Sequence, residues 1–196
     1  MSNTPWFPKR WMPEDPTRIQ LYSLATPNGQ KVSIALEELG LAYDAHLIDI
    51  FANDQFDEDY LKLSPNGKIP TLSDPDGPGG RQLLSMESGA ILLYLAEKTG
   101  ELIPKDALER HECLQWLFFQ MGHIGPMFGQ FGHFFKYAKE TCEHPYPVER
   151  YSNEARRLLG VLDKRLAEGS YLVAEMYTIA DIAIWPWVSC LDVYYK

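Results

Sequence analysis

Thr26 and Asn28 stand two residues apart in Leu21-Tyr22-Ser23-Leu24-Ala25-Thr26-Pro27-Asn28-Gly29-Gln30-Lys31, where a strand pattern gives way to a helix pattern. A helix N-terminus presents unpaired N–H groups and the positive end of its dipole, so a hydroxyl and an amide placed there can help hold an anion or a thiolate. Thr and Asn are also favoured caps and turn residues, and for this pair alone that reading suffices. Two further segments carry similar potential. Met86-Glu87-Ser88-Gly89 places an acid and a hydroxyl at the start of another helix, and Asn66-Gly67-Lys68-Ile69-Pro70 places a turn and a proline before an apolar strand.

The elements that must position these groups are readable from periodicity. Ile19 to Tyr22 reads as a strand. Val32, Ala35, Leu36 and Leu39 recur at i, i+3, i+4, i+7, which predicts a helix from about Gly29 to Leu39, ended by Gly40. Pro70, at the head of the run to Leu72, marks a strand edge, a bulge or a cis turn. Asp74-Pro75-Asp76-Gly77-Pro78-Gly79-Gly80 predicts a long hairpin loop between the next two strands. The order is strand, helix, strand, short helix, strand, hairpin, strand, helix, that is βαβ followed by ββα, the order of a thioredoxin-like domain.

After Gly100 the pattern is helical. Helices are predicted over Leu108 to Met121 and over Pro147 to Leu166, the latter with Leu158, Leu159, Val161, Leu162 and Leu166 as its buried stripe. Between them the glycines and aromatics of residues 122–135 predict a broken helix that brings Phe, Met and His toward a cleft, or an aromatic core. Thr178-Ile179-Ala180-Asp181 fits a capping box with Tyr177 and Ile182 as its staple, and Pro186 should kink the helix that follows. Residues 1–18 hold Pro5, Pro8, Pro13 and Pro16 among Trp6, Phe7 and Trp11, which predicts an extended surface arm docked on the body or on a neighbouring subunit. The expected organisation is an arm over 1–18, a first domain over 19–101 and an all-helical domain over 105–196.

Composition narrows the function. Of 196 residues, 45% are apolar and 23% charged, ordinary for a globular protein. The net charge of −9 lacks the basic stripe that nucleic acid requires. No apolar run approaches a membrane span, and no basic-then-apolar leader opens the chain, so a cytoplasmic location is expected. Cys113, Cys142 and Cys190 form no C-x-x-C and no Cys/His metal spacing, so reduced thiols and no metal are expected.

With Thr26-Pro27-Asn28-Gly29, Asn66-Gly67-Lys68-Ile69-Pro70, Glu87-Ser88-Gly89-Ala90-Ile91, Val148-Glu149-Arg150-Tyr151 and Tyr177-Thr178-Ile179-Ala180-Asp181 through Trp185-Pro186-Trp187, the chain resembles the soluble glutathione transferases from about Ile19 onward. The likeness is greatest to the bacterial Nu class, whose members are glutathione-dependent disulfide-bond oxidoreductases. The resemblance implies a thioredoxin-like domain followed by a helical bundle, glutathione as co-substrate, and a homodimer. Relatives usually carry further C-terminal helices, so the resemblance implies either that this sequence is truncated or that the protein departs from the family there.

The resemblance also assigns residues. The cysteinyl part of glutathione would pair with the Ile69 backbone before a cis Pro70, and Glu87 and Ser88 would hold the γ-glutamyl end. Gln55 and Lys68 would line the peptide, and Arg150 would reach a partner's glutathione across the dimer. Otherwise Ser88 is a plain N-cap, Glu87 a first-turn acid and Arg150 a surface ion-pair residue. Thr26 and Asn28 would activate the thiol, with Tyr22, expected in the core, and Ser23 as competing donors. A thiol of pKa about 8.5 is roughly 3% ionised at pH 7, and bringing that pKa to 7 takes about 2 kcal/mol. A helix N-terminus contributes about 0.3–1 kcal/mol, whereas a hydrogen bond to a charged group contributes about 1.5–3 kcal/mol. Thr26 or Asn28 must therefore carry most of the effect. The implied activity is reduction or exchange of small disulfides. The alternatives are conjugation to electrophiles or peroxide reduction beside residues 128–137, and a non-catalytic glutathione-binding protein of the same fold.

Overall fold

The structure, a computed structural model, describes residues 4–194. The chain divides into two compact units, one ending at Thr99 and one beginning at Gly100.

The first unit is thioredoxin-like. It runs β1 (Ile19–Ser23), α1 (Pro27–Glu38), β2 (Tyr43–Leu47), α2 (Tyr60–Leu63), β3 (Thr71–Gly77), β4 (Arg81–Met86) and α3 (Ser88–Thr99). The sheet order is β2-β1-β3-β4, with β1 and β2 parallel and the other pairs antiparallel. The parallel pair requires a crossover, and α1 supplies it. Val32, Ala35 and Leu36 of α1 and Ile91, Leu92, Leu95 and Ala96 of α3 are fully buried, and the two helices pack together. α1 stops where Gly40 takes φ +61°: its N–H donates to Glu37 O (3.1 Å) while Leu41 N–H donates to Leu36 O (3.0 Å). Those two bonds make the glycine-terminated Schellman end.

The structure corrects two expectations here and selects between the alternatives of a third. α1 begins at Pro27, two residues earlier than its apolar stripe suggested, because proline suits the first helical position and Thr26 caps it. The long hairpin loop over Asp74 to Gly80 is absent: β3 continues through Gly77 with a register shift, and only Pro78–Gly80 turns. Asp74 is the cause. It is buried and held by Tyr94 Oη (2.6 Å) and Lys98 Nζ (2.8 Å) of α3, which pins the strand where sequence composition reads as turn. The arm docks on the body, one of the two placements expected of its aromatics. Trp11 is 9% exposed, donates Nε1–H to Leu47 O (3.0 Å) and joins Tyr22, Ile48, Tyr60 and Leu63 in a core cluster.

The second unit is helical: α4 (Ala107–Phe119), α5 (Gly125–Gly132), α6 (Tyr146–Leu166) and α7 (Ile179–Tyr194). Wider π turns over Gln120–Ile124 and His133–Tyr137 flank α5, so the expected break is absent and the backbone stays helical through the glycine-rich stretch, while α4 itself ends earlier than Met121. In α6 the buried residues are Ala155, Leu158 and Leu162, whereas Leu166 in the last turn is exposed. The capping box forms: Asp181 Oδ2 accepts from Thr178 N–H (2.9 Å), Thr178 Oγ1 accepts from Ala180 N–H (3.2 Å), and Asp181 Oδ1 also accepts from Leu172 N–H (3.0 Å). Pro186 lies inside α7. Among the described residues, no helix is long and apolar enough to cross a membrane.

Candidate active site

Strand register gathers the predicted residues of the first unit. Tyr22 of β1 pairs with Thr71 at the start of β3, and Thr71 pairs with Met86 at the end of β4. The exits of β1 and β4 and the entrance of β3 therefore lie at one end of the sheet. Thr26 and Asn28 follow β1, Ile69 and Pro70 precede β3, and Glu87 and Ser88 follow β4. Arg150 belongs to the second unit, where it is exposed on α6.

At the first junction Thr26 Oγ1 accepts from Gly29 N–H (3.3 Å) and so caps α1, leaving its hydroxyl able to donate as well. No carboxylate lies in the first turn to neutralise the dipole there. Asn28 is the second residue of the helix, half-buried. Gly29 is required: a Cβ there would collide with Leu24 O and Ser23 Oγ. Ser23 donates its hydroxyl to Leu24 O (3.3 Å). Tyr22 is in the core, stacked on His46 with centroids 4.6 Å apart. Burial, with a smaller contribution from Asp44, pushes its phenol pKa well above the usual value.

At the second junction the Ile69–Pro70 bond is cis. The turn before it is fixed by its backbone: Lys68 O accepts from Tyr60 Oη (2.8 Å) and Ser64 Oγ (2.8 Å), and Ser64 Oγ accepts from Lys68 N–H (3.1 Å). The Lys68 side chain is exposed, Ile69 packs against the Trp11 cluster, and Pro70 is buried. A Cβ on Gly67 (φ +59°) would press on the Phe56 ring, which brings the Asp54–Phe56 turn, and Gln55 within it, beside residues 66–68. Gln55 Nε2 donates to Ile50 O (3.4 Å), while its Oε1 is buried and meets no hydrogen-bond partner among the described residues.

At the third junction Glu87 sits at φ +70°, a left-handed conformation that costs a non-glycine residue roughly 1–2 kcal/mol. Such strain persists where the surroundings demand it, and it collects at functional sites. Ser88 is the first residue of α3 and not its cap, since Glu87 O already accepts from Ile91 N–H (3.0 Å). The two roles differ because the chain enters α3 through the strained Glu87.

One residue of this site escaped the sequence reading. Lys31 is fully buried and donates from Nζ to Asn28 Oδ1 (2.8 Å) and Ser88 Oγ (3.2 Å), tying the first junction to the third. Burial drives its pKa from 10.5 down to about 7, partly offset by the charge of Glu87. The signal was present: Lys31 lies at i+3 from Asn28 and i−4 from Ala35, on the stripe that faces inward.

Known proteins resemble this chain over most of its length. Residues 25–98 match the family model described as "Glutathione S-transferase, N-terminal domain", and residues 145–196 match "Glutathione S-transferase, C-terminal domain". The chain is 49% identical over 172 residues to the disulfide-bond oxidoreductase YfcG of Escherichia coli, covering 87% of this chain and 79% of that one. A Pseudomonas putida glutathione transferase with one glutathione disulfide bound per subunit superposes with a TM-score of 0.93 at 53% identity, covering 95% of this chain and 81% of that one. A Burkholderia graminis glutathione transferase with two glutathione molecules per subunit gives 0.94 at 53% identity, with coverage of 95% and 78%.

Proposed function

Because the chain belongs to the glutathione S-transferase family, we propose that it binds glutathione and uses the glutathione thiolate to reduce small disulfides. One thiolate attacks a disulfide sulfur and expels a thiolate, giving a mixed disulfide. A second glutathione thiolate then displaces the remaining substrate thiol, leaving oxidised glutathione. The observation that carries the reading is the meeting of three polar junctions at one sheet end in a unit that has no cysteine of its own, since Cys113, Cys142 and Cys190 all lie beyond residue 112. None of the three forms a disulfide, and burial pushes the Cys113 thiol pKa up, the wrong direction for a nucleophile.

The residues present fit the peptide. Glu87 faces its ammonium, and Ser88 with the α3 N–H groups faces the neighbouring carboxylate. The Ile69 backbone beside cis Pro70 pairs with its cysteinyl part, and Lys68 and Gln55 line the rest. The buried, unpartnered Gln55 Oε1 is an acceptor that a peptide N–H satisfies. Thr26 and Asn28 serve the sulfur. The same reading makes the protein a cytoplasmic homodimer in which Arg150 reaches the partner subunit's glutathione, supported by the exposure of Arg150 on α6 and by cysteines that form no disulfide.

A paired assay with glutathione tests the activity: 2-hydroxyethyl disulfide against a chlorodinitrobenzene-type electrophile. Disulfide turnover should dominate, and it should survive replacement of all three cysteines by alanine in a variant shown by circular dichroism to be folded. Dominant conjugation would make the protein a transferase, and glutathione binding without either reaction would make it a binding protein.

A further inference from the structure

We propose that Lys31 is a positioning residue that sets the hydrogen-bond polarity of the site at both ends of the glutathione, through Asn28 at the sulfur and through Ser88 at the γ-glutamyl carboxylate. The inference rests on the glutathione reading above and adds to it a residue outside the set assigned there.

An asparagine amide has an acceptor oxygen and a donor nitrogen, and only the donor edge can stabilise a thiolate. A side chain left to itself can present either edge. An ammonium has three donors and no acceptor. Lys31 Nζ stands 2.8 Å from Asn28 Oδ1, so the oxygen is the edge committed to it and the nitrogen is the edge directed elsewhere. The same Nζ stands 3.2 Å from Ser88 Oγ. A hydroxyl whose oxygen accepts from an ammonium directs its own hydrogen to another acceptor, which for a carboxylate ligand is the useful direction. One buried cation thus turns two ambivalent groups into donors.

The surroundings make this a costly arrangement to keep. The side chain is fully buried beneath two helix N-termini, whose dipoles oppose a cation, and the charge facing it is Glu87. Burial lowers the pKa to about 7, so near neutral pH the ammonium is only partly populated in the protein by itself. A bound anion beside Asn28 and Ser88 favours the charged form. A lysine serving packing alone would be replaced at no loss by an apolar side chain of equal length.

Double-mutant cycles read the role directly. Lys31→Met, and Lys31→Gln as a milder replacement, are combined with Asn28→Ala and with Ser88→Ala. The pKa of the bound glutathione thiol is followed by thiolate ultraviolet absorbance, and affinity for glutathione and for S-methylglutathione by calorimetry. Removing Lys31 should raise the bound-thiol pKa by about one unit, which well below that pKa lowers the thiolate fraction roughly tenfold. That rise should vanish in the Asn28→Ala background. Affinity for S-methylglutathione, which has no thiol to ionise, should fall roughly fivefold, and that fall should vanish in the Ser88→Ala background. Additive effects in both cycles, or an unchanged thiol pKa in a folded Lys31 variant, would overturn the role of Lys31 while leaving the glutathione site intact. Failure of the wild-type protein to bind glutathione would overturn both.

Discussion

Thr26 holds two roles that separate experimentally. Its oxygen caps α1 through Gly29 N–H, and its hydroxyl hydrogen is the donor proposed for the thiolate, whereas Asn28 lies inside the helix and is not its cap. Asn28→Ala should therefore lower disulfide turnover by about one to two orders of magnitude, the equivalent of roughly 1.5–3 kcal/mol, with glutathione affinity changed far less. Thr26→Ala should lose turnover similarly and also about 1 kcal/mol of stability, while Thr26→Ser restores both. Wild-type rates in both alanine variants, with loss in Ser23→Ala, would move the donor to Ser23. Lys31 adds a pH-dependent contribution to stability. Its folded pKa of about 7 lies below the unfolded 10.5, so between those values the unfolded chain binds the extra proton and stability rises with pH. Below 7 both states carry the proton, and the full cost of burying the charge is present. Lys31→Met should thus gain most on the wild type at acidic pH, the gain shrinking by up to about 1.4 kcal/mol per pH unit toward pH 10. Urea unfolding across that range measures it, and a pH-independent difference would refute it. At this scale the sequence displayed residue types but not their partners. Thr26, Asn28, Glu87 and Ser88 stood out because hydroxyls, amides and acids mark helix starts. Lys31 did not, because a lysine in a helix is by default solvated.

α1 is placed by its two ends, and both were legible: Thr26-Pro27 at the start and Gly40 at the stop. What the pattern could not show is how tightly the entrance is packed. A methyl group on Gly29 would meet Leu24 O, a backbone atom that cannot rotate away. Gly29→Ala should cost about 1–3 kcal/mol and most of the activity, because the turn carrying Thr26 and Asn28 must shift. Gly160→Ala is the control, since a Cβ there on α6 meets nothing within 4 Å. Helix propensity predicts a gain of about 0.5–1 kcal/mol with activity unchanged. Equal thermal shifts in the two variants would defeat the packing argument. The β3–β4 hairpin was misread for a related reason. Asp74 to Gly80 has the composition of a loop, and only the long-range hold of Tyr94 and Lys98 on Asp74 makes part of it strand. Local chemistry cannot reveal a partner twenty residues away.

Across the molecule, the order βαβ-ββα followed by helices was readable because each element carries its own period and its own stops. The standing of the arm was not, since prolines and tryptophans in series say nothing about where they dock. The arm is held at several points within the first unit. Trp6 exchanges two hydrogen bonds with Gln82 (2.8 and 2.6 Å), and Arg10 pairs with Asp54 at 2.7 Å, in the turn that carries Gln55. Trp11 sits edge-on to Tyr60 with centroids 6.1 Å apart, and Tyr60 Oη holds Lys68 O ahead of cis Pro70. The arm therefore braces the two segments expected to line the peptide. Trp11→Ala should cost about 3–5 kcal/mol, a large share of a typical total of about 5–15 kcal/mol. The surviving folded protein should show a raised KM for glutathione with kcat nearly unchanged, because in the proposed site the braced segments hold the peptide while Thr26 and Asn28 serve the thiolate. Trp11→Phe keeps the ring but loses the bond to Leu47 O, and should fall between the two in stability. Denaturant unfolding together with kinetics corrected for the folded fraction tests both parts. Wild-type stability in Trp11→Ala would show that the arm only lies on the surface, and a loss confined to kcat would show that it supports the α1 junction instead.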